Sequence, residues 1–398
     1  MATSWGLFWG GWAALIPEIK TELALTDRQL GLALFAVPVA AVPAMLLTGR
    51  LARRLAQHTL PVGTAAFAAG IVLTGLAHSR PSFTAALLVV GASSGMIEVA
   101  LNATTAAHEA RDGRRLFNLV HAATPLAMLI AAPSVGLARE LGASVLTVLT
   151  AIALLVAASV VLAIDSPGWQ ECTRPIGARP PKLYRPLLLV GALGASVLLM
   201  ENAVEQWGAI HLEQQLRAGP LLASFAPAGY MAGLSFGRML VQKKGAEYSD
   251  RTLVALGGTL GGTGLAIAAT AWNPSVALIG FSLAGIGLGP VVPTLLSATA
   301  RSVAPERRPS AISVVTTVSY AGFLCSPPLV GMLAAWRGLP AALGLVALGG
   351  ALLVLGAHAV PSHPGRRQSP SPGGAHLAGI AGSEPAAPAH RGMGDQSD

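Results

Sequence analysis

A chain of 398 residues that is 53% hydrophobic and only 11% charged is too apolar for an ordinary soluble domain, in which about a quarter of residues carry charge. The net charge of +8 comes from short basic clusters set between long apolar runs, so it reads as membrane topology and not as a nucleic-acid surface. Two distant cysteines, Cys172 and Cys325, offer neither a disulfide framework nor metal spacing.

With ~20 apolar residues needed to cross a bilayer, about twelve spans are predicted. They lie near residues 2–18, 29–49, 59–77, 82–107, 116–137, 143–164, 185–208, 219–241, 252–271, 275–299, 309–333 and 338–360. The first is short: its clean apolar run covers only 5–17, with no basic residues before it and no cleavage pattern, so it is not a signal peptide. A start upstream of Met1, a truncated first helix, or a locally thinned one would each explain it. The fourth carries Glu98 and Asn102 one turn apart in an otherwise apolar run, and a carboxylate at membrane depth is costly enough to suggest a function. Between the sixth and seventh lies the longest internal polar stretch, 165–182, with Pro167, Pro175, Pro180 and Pro181. The seventh holds Glu201, Asn202 and Glu205, followed by Trp207. In the tenth, Gly285, Gly287, Gly289 and Pro290 imitate a nucleotide-binding loop. No strand precedes them, so close helix packing and a kink are expected instead. From Val360 the composition turns to Pro, Gly, Ser and Ala, too polar and too small to bury a core. The expected organisation is a first bundle over 1–164, a cytoplasmic linker over 165–184, a second bundle over 185–360 and a disordered cytoplasmic tail over 361–398.

Of the 26 lysines and arginines, 20 fall in the turns after even-numbered spans, in the linker or in the tail. The positive-inside rule makes that side cytoplasmic and places the C-terminus there. The halves also repeat. Gly49-Arg50 ends the second span as Gly237-Arg238 ends the eighth, and Arg114-Arg115 precede the fifth as Arg307-Arg308 precede the eleventh. Residues 132–136 similarly match 327–331. Landmarks in one order at near-constant offset argue for a duplicated six-helix unit, an arrangement known among secondary transporters.

Six spans plus six, a Gly-Arg turn after the second and eighth, and a long linker resemble the major facilitator superfamily over nearly all of the chain up to about residue 360. The stretches 10–31, 201–212 and 311–331 are more specifically similar to a bacterial branch near the fucose-permease-like sugar transporters. The resemblance implies an all-α membrane protein of two six-helix bundles around a central cavity, multi-pass in the cytoplasmic membrane. One departure concerns the turn after the second span, where the superfamily places an acidic residue four positions after the glycine. Here Arg53 stands at that distance from Gly49, with Arg54 next, and Val241 stands at it from Gly237. Arg53 therefore needs another partner, either lipid phosphate or an acid such as Glu109.

Each candidate site residue has two readings. Glu98 either binds a proton or a polar solute, with Asn102 on the same helix face, or is a structural carboxyl bonded to a neighbouring helix. Burial disfavours the charged form of a carboxyl in general, which suits proton coupling. Glu201 and Asn202 are read as recognising the solute, with Trp207 as an apolar platform. Glu205 and Trp207 are read chiefly as belonging to the headgroup belt. His121 either shuttles protons or bonds between helices. Tyr320 lies among Thr316, Thr317 and Ser319 in an apolar span, either in the cavity or bridging helices. Gly49, Arg50, Arg53, Arg54, Gly237 and Arg238 are expected to form the cytoplasmic gate.

The sequence holds no phosphate-binding loop, metal cluster or nucleophile–base constellation. The expected protein is thus not an enzyme, has no cofactor and binds no nucleic acid. It is expected to be a monomeric secondary transporter in a lipid bilayer, moving a small polar solute, sugar-like or a similar metabolite, by alternating access coupled to protons. The alternatives are a proton-driven efflux carrier and a non-transporting sensor on the same fold.

Overall fold

The computed structural model describes residues 1–112, 116–161 and 185–361. The linker and the tail expected at 165–184 and 361–398 therefore lie, apart from Val360's neighbour Pro361, outside the described residues.

Among the described residues the chain is helical throughout, with no strand. The first half runs through α1 (Ala2–Glu22), α2 (Asp27–Leu34), α3 (Ala36–Leu55), α4 (Thr59–Gly75), α5 (Arg80–Asp112), α6 (Phe117–Glu140) and α7 (Val145–Val161). The second half runs through α8 (Arg185–Ile210), α9 (Pro220–Lys244), α10 (Asp250–Ala269), α11 (Pro274–Leu288), α12 (Val291–Ser302), α13 (Arg308–Arg337) and α14 (Leu339–Gly356). The expected second span is α2 and α3, bent at Phe35. The tenth is α11 and α12, broken at Gly289 and Pro290. Eight of the helical rods are long and apolar enough to cross a membrane by length and composition alone. The protein is an all-α membrane fold.

Local chemistry sets the helix ends. Thr26 and Gln29 form a reciprocal capping box at the start of α2. Ser249 caps α10, and Asn273 caps α11 ahead of Pro274. The first helix departs from the sequence reading. It continues through Pro17 to Glu22, 21 residues in all, or about 31 Å at 1.5 Å per residue. The apolar run looked short because Glu18 and Lys20 interrupt it. Both are paired in the fold, Glu18 with Arg139 and Lys20 with Asp27, so the helix passes through them.

Within the first half α1 packs on α6, α3 on α5, and α4 on α5 and α7. Within the second, α8 packs on α13, α9 on α11, and α10 on α11 and α14. The halves meet chiefly where α6 lies on α9 and α2 on α13. The tenth-span glycines act as packing surface, as expected. A Cβ on Gly285 would run into Tyr230 O, and one on Gly289 would sit 2.5 Å from Leu234 O. Only hydrogen at these positions allows α9 to approach so closely.

Candidate functional site

A cavity of about 460 Å³ opens between the halves, within the size range of ligand pockets. Its wall takes residues from α1, α2, α3, α5, α6, α8, α12 and α13. Glu98 enters from α5, Glu201, Asn202 and Glu205 from α8, and Tyr320 from α13, where its hydroxyl lies beside the Glu98 carboxyl. Four of the expected binding residues, Glu98, Glu201, Asn202 and Tyr320, are thus brought to one space. Glu205 joins them, so its headgroup-belt reading is corrected. It lies one turn along α8 from Glu201, on the same face.

Other expectations fare differently. Asn102, one turn beyond Glu98, lies outside the wall. His121 belongs to α6, but its side chain lies outside the described residues. Trp207 is fully buried and away from the wall, neither a platform for solute nor a member of the headgroup belt. Tyr230 is likewise fully buried, and its hydroxyl has no hydrogen-bond partner.

The sequence reading missed the aromatic side of the wall. Trp5, Trp9 and Trp12 of α1 all line it. Their spacings of four and three put them on one helix face, a signal that was present and went unused. The Trp5 indole donates to Ser94 Oγ at 3.1 Å, and that of Trp12 donates to Gln206 Oε1 at 3.3 Å. Phe323 completes the aromatic set.

Toward the expected outer face a charged clamp closes over this space. Arg139 near the end of α6 is 8% exposed. Its guanidinium donates from Nη1 and Nη2 to both carboxylate oxygens of Glu213, at 2.6 and 3.0 Å. Nη2 also donates to Glu18 Oε2 at 2.8 Å, and Nη1 to Ala14 O at 2.7 Å. Glu213 sits in a π-helical turn, His211–Gln215, which extends α8. Around the clamp, Lys20 donates to Gln214 Oε1 at 2.6 Å, and the Leu221 N–H donates to Glu140 Oε2 at 3.0 Å. Each of these bonds except those among Arg139, Glu18 and Ala14 ties the first half to the second. Gly31 and Gly331 meet nearby, where a Cβ on Gly331 would stand 2.6 Å from Asp27 O.

At the opposite face lie the expected gate residues. Arg238 Nε donates to Gly289 O at 3.0 Å, and Gly237 packs against Ile286. Arg50 and Arg54 are exposed, Gly49 follows Thr48 in α3, and the Arg53 side chain lies outside the described residues. Glu109, proposed above as a partner for Arg53, accepts the N–H of Leu116. Among the described residues no group of three or more His, Cys, Asp or Glu could hold a metal ion.

A helical membrane protein whose halves enclose an acidic, aromatic cavity, locked together at one face, has the build of a membrane carrier. The sequence model of the Major Facilitator Superfamily matches residues 2–207 and 192–391, and the chain belongs to that superfamily. It is 30% identical over 351 residues to an MFS-type transporter of Yersinia pestis described as uncharacterized, spanning 86% of this chain and 89% of the relative. It is 25% identical to the membrane protein MosC of Rhizobium meliloti, over 85% and 83% of the two chains. Among solved structures it is similar to the nucleoside transporter NupG, with a TM-score of 0.75 at 12% identity over 90% of this chain and 96% of that one. It is also similar to the inward-open xylose transporter XylE from E. coli, with a TM-score of 0.65 at 15% identity over 92% and 96%.

Proposed function

We propose that this chain is a secondary active transporter that moves a small polar solute, a sugar-like or similar metabolite, across the cytoplasmic membrane by alternating access. The observation that carries the reading is the cavity between the halves, walled by Glu98, Glu201 and Glu205 and covered at one face by bonds that join the halves. A solute held there sits between two bodies that can rock about it. The bodies are residues 1–164 and 185–360, joined by 165–184, and a single chain is the working unit. Protons are the coupling ion in this reading. Glu98 faces the cavity, where it can exchange a proton, and Tyr320 of the other half stands beside it to sense the change. The Lys/Arg distribution supports a clamp on the outside, with the Gly49–Arg54 and Gly237–Arg238 turns and the C-terminus inside.

Purified protein in proteoliposomes, assayed for uptake and export over a panel of sugars, nucleosides, amines and organic acids, tests the reading with and without a pH gradient. Expected is flux of at least one class that follows the gradient and loses that dependence in Glu98→Gln. Flux indifferent to both the gradient and the substitution would remove the proton assignment. No flux for any solute would favour a sensor over a carrier. The direction that the gradient drives decides between uptake and efflux.

A further inference from the structure

The wall of the cavity is unbalanced. Glu98, Glu201 and Glu205 line it, and no Lys, Arg or His stands among the described lining residues. The Arg238 guanidinium, the basic group that acts on Glu201, belongs to an exposed residue outside the wall and donates to Gly289 O. A second observation is independent of the acids. Asn202 is 1% exposed, lines the cavity, and has an Oδ1 with no hydrogen-bond partner. A buried polar atom left unpaired costs about 1–3 kcal/mol, so its persistence at the wall points to a partner that arrives with the ligand. Asn202 and Glu205 are three apart and Glu201 and Glu205 four apart, so these acceptors share one face of α8.

The wall's donors are all neutral: the Trp9 indole, the Asn202 and Gln206 amides and the hydroxyls of Thr124, Thr316 and Tyr320. The indole N–H groups of Trp5 and Trp12 are already given to Ser94 and Gln206. Trp12 is 1% exposed and stacked on Phe8 and Phe83, so the rings left to a ligand are those of Trp5, Trp9, Tyr320 and Phe323. Ring faces attract cations and pack against apolar bodies. An organic anion meets three carboxylates with no base among the lining residues. A hydroxyl-rich neutral solute brings no positive charge to the three acids of the wall.

We propose that the site takes a protonated primary or secondary amine on an apolar body. The Glu201–Glu205 pair and Asn202 Oδ1 hold its ammonium N–H groups, and the Trp5–Trp9 face and Phe323 hold its body. This rests on the reading of the cavity as the transport site, and names the class of solute for it.

The test uses three probes with one body and different heads: biphenylethylamine, biphenylethanol and biphenylpropanoate, titrated calorimetrically near neutral pH into the full chain in lipid nanodiscs. The amine should bind about ten-fold or more tightly than the alcohol, the margin a charge-assisted hydrogen bond gives, and the propanoate should show no binding. Glu201→Gln and Asn202→Leu, each checked for monodispersity, should weaken the amine by about the same factor and the alcohol by less. Alcohol or propanoate binding as tightly as the amine to the unsubstituted protein would overturn the assignment, whatever the variants do. Amine binding without flux in the proteoliposome panel would sustain the site and remove the transport reading. Flux of a neutral solute by protein that does not bind the amine would do the reverse.

Discussion

Arg139 and Glu201 both place charge among the helices, and the fold treats them in opposite ways. Around Arg139 the charge is paired: Glu213 takes a two-pronged bond, Glu18 a single one, and Ala14 O a further one from Nη1, with only Nε left over. At the cavity three carboxylates share a wall with no lining base. A paired charge cluster holds structure, because any motion must break several bonds at once. An unsatisfied one waits for a ligand or a proton. The clamp is therefore expected to govern stability and which face is open, and the cavity to govern binding.

The largest effect should come from breaking the clamp. Removing one partner of a buried ion pair costs about 3–5 kcal/mol, because the other charge is left uncompensated. Glu213 is 15% exposed at its side chain and carries most of this, whereas Glu18, at 43%, is solvated enough to count for little. Arg139→Met should lower the melting temperature sharply. Arg139→Met with Glu213→Met should recover much of the loss, since an apolar pair of similar volume no longer strands a charge. A melting temperature unmoved by the single substitution would reduce the clamp to an incidental contact.

A smaller effect is expected where the same face closes by packing instead of charge. Gly331 faces Gly31 across the α2–α13 contact, and its Cβ would meet both Asp27 O and Gly31 Cα, the latter at 3.0 Å. Gly331→Val should cost about 1–3 kcal/mol of the closed arrangement. Spin labels at the exposed positions 28 and 337 should then report a longer distance between the halves. An unchanged distance distribution would mean that the clamp alone holds this face.

Much of this was readable before the fold was known, and the failures have physical causes. The spans were legible because a helix in lipid must satisfy its own backbone, which leaves a length and hydropathy signature. Glu98 and Glu201 were legible as expensive exceptions to it. Helix rotation was not. Asn102 shares a broad face with Glu98, but a step of four residues turns about 40° beyond a full revolution, enough to carry it past a narrow wall. Trp207 is the converse, since two residues after Glu205 it has turned about 200°, and so points into the core as Glu205 points to the cavity. Arg139 is one of the six Lys/Arg residues that the sequence leaves on the outer side. Its partners stand 121 and 74 residues away in sequence, and no local spacing announces such a bond.

The smallest expected effect separates the two regions most finely. Tyr230 is a buried polar residue with an unpartnered hydroxyl, as Asn202 is one with an unpartnered oxygen, and it lies electrostatically close to Glu201 and Glu205. The difference is access: Asn202 lines the cavity and Tyr230 does not. If an unpaired atom at the wall awaits a ligand while one in the core is simply a cost, the two should respond oppositely to removal. Tyr230→Phe takes away a group with no partner to lose, so stability should hold or rise by about 1 kcal/mol, and amine affinity should stay the same. Melting temperature and the calorimetric titration read both at once. Weakened amine binding in Tyr230→Phe would place this hydroxyl in the site, and the cavity would then extend past α8 toward α9 during transport.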